Sequence, residues 1–340
     1  MGSKILRIIT VWILFFCAAG SITYWAIAKY KVSDDFRAVK DARSYIQMSL
    51  GNYIDIESRY TKRFLMPEIV GLLNRNLHVT EFLDKYYENV EEKVIQLNFG
   101  LVNILFITFT AFVFYLFCKD LDFSEMESLL AGFLFITSFN VVTYFTVPLV
   151  DSAGCFFVMA CFYALKRKNW FGLALFFLLG LMTKESTFVV VLMVMLDKGK
   201  IEWRKWAALV PGIVAYFFIL SFYGGVSRGG VNVLQIITHF DLLQASVQQG
   251  LSSFSIFTII EWIQTFLFMW VLFIYGLLKC RIPEFLKSQA WLMFLPFIMP
   301  FTVGESSVGR VSFYLFPIVI CISLLALRKI LNTESLENVK

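Results

Sequence analysis

Asp41 and Tyr45 stand one helical turn apart, so on a helix they share a face. A carboxylate in that setting could act as general base toward an acceptor hydroxyl, with Tyr45 in support. Asp34 and Asp35 lie a few residues earlier; the pair could cap the same helix, and Asp35 is the second candidate base. Arg59, Arg63, Lys184 and Arg310 supply cations, and Asp151, Glu185 and Glu305 supply further acids. Cations facing an acid suit a phosphate leaving group beside a base, since Arg forks onto an oxyanion and fixed charge stabilises what develops on departure.

Each of these residues has a plainer reading. Lys184 and Glu185 could neutralise each other at a helix break. Arg310 could anchor at headgroup level. His78 and His239 are isolated and lack metal-ligand spacing. The cysteines Cys17, Cys118, Cys155, Cys161, Cys280 and Cys321 form no CxxC pair and read as small core hydrophobes.

The elements that must position these groups are apolar. Of the 340 residues 59% are hydrophobic and only 16% charged, and the charges are swept into gaps between long apolar blocks. A soluble domain carries roughly 25% charged residues. The pattern predicts an all-α polytopic membrane bundle with about ten transmembrane or membrane-embedded helices. Its apolar runs cover 5–28, 99–118, 129–147, 153–165, 170–182, 187–196, 207–223, 256–278, 291–303 and 311–327. The first is too long for a signal peptide and lacks a clean cleavage site, so it reads as a retained anchor. The runs 170–182 and 187–196 are each shorter than the ~20 residues of a crossing and could be two short helices or a re-entrant pair.

Sidedness follows from the short basic loops. Lys4 and Arg7, Lys166–Lys168, Lys198–Lys205, Lys279–Lys287 and Arg328–Lys329 all fall at the same ends of the runs, which predicts cytoplasmic N- and C-termini. The net charge of +5 therefore points to the membrane and not to nucleic acid. Residues 29–97 become a long first extracytoplasmic loop with amphipathic surface helices near 36–50, 66–73 and 81–97. All the candidate site residues collect on that outer face. Ionisable groups at membrane depth are costly and mark functional sites. The reading is a single domain over 1–340.

Several short motifs carry a resemblance. Asp41-Ala-Arg-Ser-Tyr45 resembles the acidic D-x-x-x-Y motif in the first outer loop of GT-C glycosyltransferases, a superfamily that includes the protein O-mannosyltransferases and the aminoarabinose transferase of lipid A. Tyr60-Thr-Lys-Arg63-Phe-Leu-Met-Pro67 resembles the Y-x-x-R-x-x-x-P run of many bacterial members. Asp151 opening a helix, then Leu181-Met-Thr-Lys184-Glu185, is similar to the mid-chain pattern, and Gly309-Arg310 before Phe316-Pro317 to the late one. The likeness runs in order over 5–325. Ala42 stands where many relatives have a second acid, and the soluble C-terminal domain of larger members is missing.

The resemblance implies a polyprenyl-phosphate sugar donor bound from the membrane and an inverting displacement onto a glycan, lipid or protein acceptor. Asp41 would be the base, and Arg59, Arg63, Lys184 and Arg310 would hold the donor phosphate, with Tyr45, Asp151, Glu185 and Glu305 in support. It implies a cell-envelope enzyme of a bacterial or archaeal plasma membrane. It names no cofactor and leaves a divalent metal open. Two other classes stay open: a transporter or flippase for a lipid-linked sugar or anionic lipid, and a non-catalytic accessory protein keeping the fold.

Overall fold

The computed structural model describes residues 2–29, 40–54, 56–76, 90–197, 202–223, 244, 248, 256–296 and 312–337. Every regular element among them is helical. Helix α1 (Gly2–Lys29) is one unbroken apolar rod. Its buried residues Val11, Phe15, Ala19, Thr23 and Ala26 recur every three or four positions and form one stripe. The other faces expose Ile5, Leu6, Ile9, Ile13 and Leu14. Such a surface is unstable in water and suits lipid.

After α1 come α2 (Lys40–Ser49), the single turn α3 (Ser58–Thr61) and α4 (Leu65–Asn76). These lie in the region expected to hold surface helices. Helix α5 (Val90–Lys119) begins earlier than the apolar run suggested, because residues 90–97, expected as a surface helix, continue into it without a break. A tight connection follows, with Asp122 at φ 61, a backbone region that Asp tolerates better than most side chains. It leads to α6 (Glu125–Ile136), opened by a capping box between Ser124 and Glu127.

The run expected over 129–147 is thus a helix that stops at Ile136, followed by a π-helical turn at Val141–Phe145. Helix α7 (Asp151–Lys166) has its acid in the first turn and its base in the last, matching the helix dipole. Asn169 accepts from the Gly172 N–H at 3.0 Å and caps α8 (Trp170–Leu181). A 3₁₀ turn at Glu185–Phe188 leads into α9 (Val189–Leu196). Short α10 (Trp203–Ala207) precedes α11 (Val210–Tyr223).

Helices α12 (Ile256–Phe266) and α13 (Met269–Lys279) come next, then α14 (Glu284–Gln289) and, beyond the 3₁₀ turns Ala290–Phe294 and Ser312–Leu315, α15 (Phe316–Glu337). The apolar run expected over 256–278 is broken into two helices that meet at 74°. Leu267 sits at the bend with φ 46, which costs a branched-chain residue about 1–2 kcal/mol. The contact of the Trp262 and Trp270 rings, tilted by 33° with centroids 4.3 Å apart, and the Trp270 indole N–H donating to the Trp262 carbonyl offset that cost.

Among the described residues three helices are long and apolar enough to cross a membrane: Ile5–Ala26, Val94–Lys119 and Ser312–Asn332. The bent pair Ile259–Phe266 and Met269–Lys279 qualifies when taken together. Trp170–Leu181 and Glu185–Leu196 are apolar but short. These helices mark a membrane protein.

The chain divides into two compact units. One comprises Met1–Val113, Val141–Val190 and Trp203–Gly230; the other comprises Phe114–Asn140, Val191–Glu202 and Val231–Lys340. In the first unit, α2 and α4 lie together, and α7, α8 and α11 pack in succession. Its core joins Ala42, Tyr45 and Ile46 of α2 to Met66 and Val70 of α4, Phe99 of α5 and Ala153 of α7. The larger apolar side chains among them, Ile46, Met66, Val70 and Phe99, each contribute about 1.5–3 kcal/mol by leaving solvent. Gly71 lets α4 come down on the end of α2, where an added Cβ would stand 2.6 Å from the Ser49 carbonyl oxygen. In the second unit α15 packs on α13 and α6. Phe135 meets Phe316 edge-on, and the Cys118 and Cys321 thiols lie 3.6 Å apart.

Candidate functional site

Two motifs of the first loop interlock. Asp41 and Tyr45 share a face of α2, as their spacing predicts, while Tyr60 lies in α3 and Arg63 just after it. The Tyr60 hydroxyl donates to Asp41 Oδ1 at 2.6 Å, and Arg63 Nη1 donates to the Tyr45 hydroxyl at 2.9 Å. The two tyrosine rings meet edge to face, 5.7 Å between centroids. Each motif thus supplies one partner to each bond. Tyr45 and Tyr60 are buried, so their hydroxyls must find partners, and these are the ones they find.

Arg63 also reaches a third segment. Its Nε donates to Glu185 Oε2 at 2.7 Å and its Nη2 to Glu185 Oε1 at 2.9 Å, a two-pronged pair. The side chains are 15% and 29% exposed, so solvent screens this pair only partly. Burial opposes the Arg63 charge, but the Glu185 carboxylate, with Tyr45 beyond it, outweighs burial and raises its pKa well above the ordinary arginine value. Nearby, the Leu65 N–H donates to the Met182 carbonyl at 3.3 Å, fastening the loop to the 182–185 turn through backbone as well.

Lys184 points elsewhere. Its ammonium meets Asp151 Oδ1 at 2.5 Å, and both side chains are buried. Lys184 is extended, at φ −160, which sends it to α7 while Glu185 begins the 3₁₀ turn. The two neighbours therefore do not pair with each other; each pairs with a charge from another element. Gly154, one turn beyond Asp151, leaves room for the Lys184 stem, 3.4 Å from where a Cβ would sit. Beside the pair, Ser152 donates to Asn103 Oδ1, and Asn103 Nδ2 donates to the Val147 carbonyl at 2.7 Å.

Of the residues singled out from sequence, Asp41, Tyr45, Arg63 and Glu185 form one connected cluster, and Asp151 with Lys184 forms a pair adjoining it through the chain. Asp34, Asp35, Glu305 and Arg310 lie outside the described residues, as do His78 and His239, and so does the Arg59 side chain. Sequence reasoning placed Tyr60 in the Y-x-x-R-x-x-x-P run but assigned it no role in the site; it is the partner of Asp41. It also passed over Ser186 and Thr187, whose hydroxyl oxygens are buried with no hydrogen-bond partner among the described residues. Among those residues no three His, Cys, Asp or Glu gather as a metal would require.

The arrangement can hold a carboxylate in a set orientation beside a guanidinium. Charge bookkeeping shapes what else it can do. In this state Arg63 is balanced by Glu185 and Lys184 by Asp151, so an anion arriving at either cation must share or displace an acid of the chain. No protein-family model matches the chain, and no curated protein matches it either.

Proposed function

We propose that the chain is an integral-membrane glycosyltransferase of the GT-C type, taking a sugar from a polyprenyl-phosphate donor on the extracytoplasmic face. The observation that carries the reading is the interlock of Asp41 and Tyr45 with Tyr60 and Arg63, continued to Glu185. Residues from three separated segments, each carrying a motif that resembles one of that superfamily, come together in one hydrogen-bonded cluster that includes Asp41. The ten-helix topology and the cytoplasmic termini belong to the same proposal.

Asp41 removes the proton of the acceptor hydroxyl while Tyr60 holds the carboxylate in line. The acceptor oxygen bonds to the anomeric carbon as its bond to the phosphate oxygen breaks, with inversion, and polyprenyl phosphate departs. Arg63 stabilises the phosphate charge through its N–H groups beyond the three bonded to Glu185 and Tyr45. Lys184, held by Asp151, keeps the turn that presents Glu185.

A second reading draws on one specific observation, the neutralisation of both cations by acids of the chain. On that reading the cluster is a structural bracket in a non-catalytic accessory protein. The deciding experiment is transfer from a radiolabelled polyprenyl-phosphate sugar to membrane-extract acceptors by the purified chain. Transfer abolished in Asp41→Asn with expression retained supports the enzyme; full transfer in that variant removes Asp41 as base. Movement of the lipid without transfer of sugar points to a flippase.

A further inference from the structure

A cavity of about 350 Å³ lies in the second unit, at the ends of α13 and α15. Lys279, Arg281, Arg328 and Lys329 line it, with Leu325 and Asn332, and no acid is among the described lining residues. The two helices meet closely at Gly276, where an added Cβ would stand 2.7 Å from Ile322. Lys279 closes one arm of the bent candidate span, and Asn332 closes the span Ser312–Asn332. The cavity therefore sits where apolar helix gives way to polar chain.

Its cations differ from ordinary helix-end lysines, which snorkel freely into solvent. Arg328 is clamped: Glu127 takes its Nε and Nη2 at 2.6 Å each, and the Phe123 ring lies 5.0 Å away. That leaves Nη1 without a hydrogen bond among the described residues. Lys279 and Arg281 are exposed and make no ion pair among those residues. A fixed guanidinium edge and the exposed Lys279 and Arg281, around a hollow with no acid among its described lining residues, suit a tetrahedral oxyanion. Directly below, the last turns of α13 expose Ile274, Leu277 and Leu278, the last at 75%. That strip offers an acyl chain a path under its headgroup.

We propose that this cavity binds the phosphate headgroup of an anionic phospholipid. Basic pockets between membrane helices are suited to such headgroups, and each nearby cation adds about a fivefold preference for them. Of the two sources of a phosphate, the adjoining exposed leucines favour the lipid over a free ion.

The test takes the whole chain purified in neutral detergent, mixed with phosphatidylglycerol and phosphatidylcholine of the same acyl chains, and reads retained lipid by native mass spectrometry. Phosphatidylglycerol is expected to be retained preferentially. Lys279→Gln with Arg281→Gln should lower that retention roughly 20-fold, both sites being exposed and tolerant of change. Lys287→Gln, an exposed cation outside the cavity, should leave it unaltered. Equal retention of the two lipids, or an undiminished signal in the double variant, would overturn the site. A loss in Lys287→Gln as large as in the double variant would do so too, since net charge would then explain it. Inorganic phosphate in millimolar excess should compete weakly; complete displacement by it would overturn the lipid assignment.

Discussion

Arg63 and Glu185 stand 122 positions apart and meet through two bonds, Nε to Oε2 at 2.7 Å and Nη2 to Oε1 at 2.9 Å. This pair ties the first loop of the chain to the turn between α8 and α9. Arg63 does so while its third nitrogen holds the hydroxyl of Tyr45, so one guanidinium joins the helix that carries Asp41 to that turn.

Lysine cannot reproduce that fork, since it presents a point charge where three directed N–H groups are used. Arg63→Lys is expected to cost about 2 kcal/mol, below the ~3–5 of a fully buried pair because both partners retain some exposure. Limited proteolysis should then cut the loop around residues 50–64 faster than in the parent chain. An unchanged cleavage rate would mean that the loop is held by its apolar contacts alone.

The buried pair of Asp151 and Lys184 behaves differently from a surface bridge. Removing one partner strands a charge, so Lys184→Met alone should lower stability by about 3–5 kcal/mol. Adding Asp151→Leu should recover most of that loss, because an apolar pair avoids the desolvation that both charges bear. Thermal unfolding in detergent reads both variants. A double variant as unstable as the single one would show that Asp151 is needed for its place in the first turn of α7.

In the second unit, hydrogen bonds from Arg328, against some burial, lower the Glu127 carboxyl from 4.5 to about 2. A depressed acid contributes stability that is present above pH 4.5 and fades as pH falls toward 2. The side chain of Arg328 is 36% exposed, so the contribution is screened to about 1 kcal/mol. Glu127→Gln should therefore differ from the parent in melting temperature at neutral pH and converge with it on acidification. A difference that stays constant with pH would assign the effect to the capping box instead.

Gly71→Ala tests the seat of α2. The new methyl would meet the Ser49 carbonyl oxygen at 2.6 Å, and backbone cannot swing aside as a side chain can. Overpacking of this kind costs about 1–3 kcal/mol. Because α2 carries Asp41 and Tyr45, proposed sugar transfer should fall along with the melting temperature. Unaltered transfer in a destabilised protein would uncouple the packing of α4 from the site.

Much was legible along the chain because its causes are local. Apolar blocks with charges swept between them announce membrane helices, and the four-residue spacing of Asp41 and Tyr45 needs only helical pitch to share a face. The capping box of Ser124 and Glu127, where α6 starts, has an equally local cause, although the reading of the sequence passed over it. Breaks were less so. Nothing in the apolar run 256–278 shows that Leu267 turns left-handed, since what accompanies the turn is the tilted ring contact of Trp262 with Trp270 across it.

The choice of partners was a tertiary matter. Lys184 and Glu185, read in sequence, are neighbours of opposite charge that could satisfy each other. In the folded chain an extended backbone at Lys184 and a 3₁₀ turn at Glu185 send them apart, one to Asp151 and the other to Arg63. The sequence by itself determined which charges had to be accounted for, because burying a charge is costly wherever it happens. Only the tertiary structure decided which charge answers which, because that depends on elements far apart in the chain arriving within a hydrogen bond of each other.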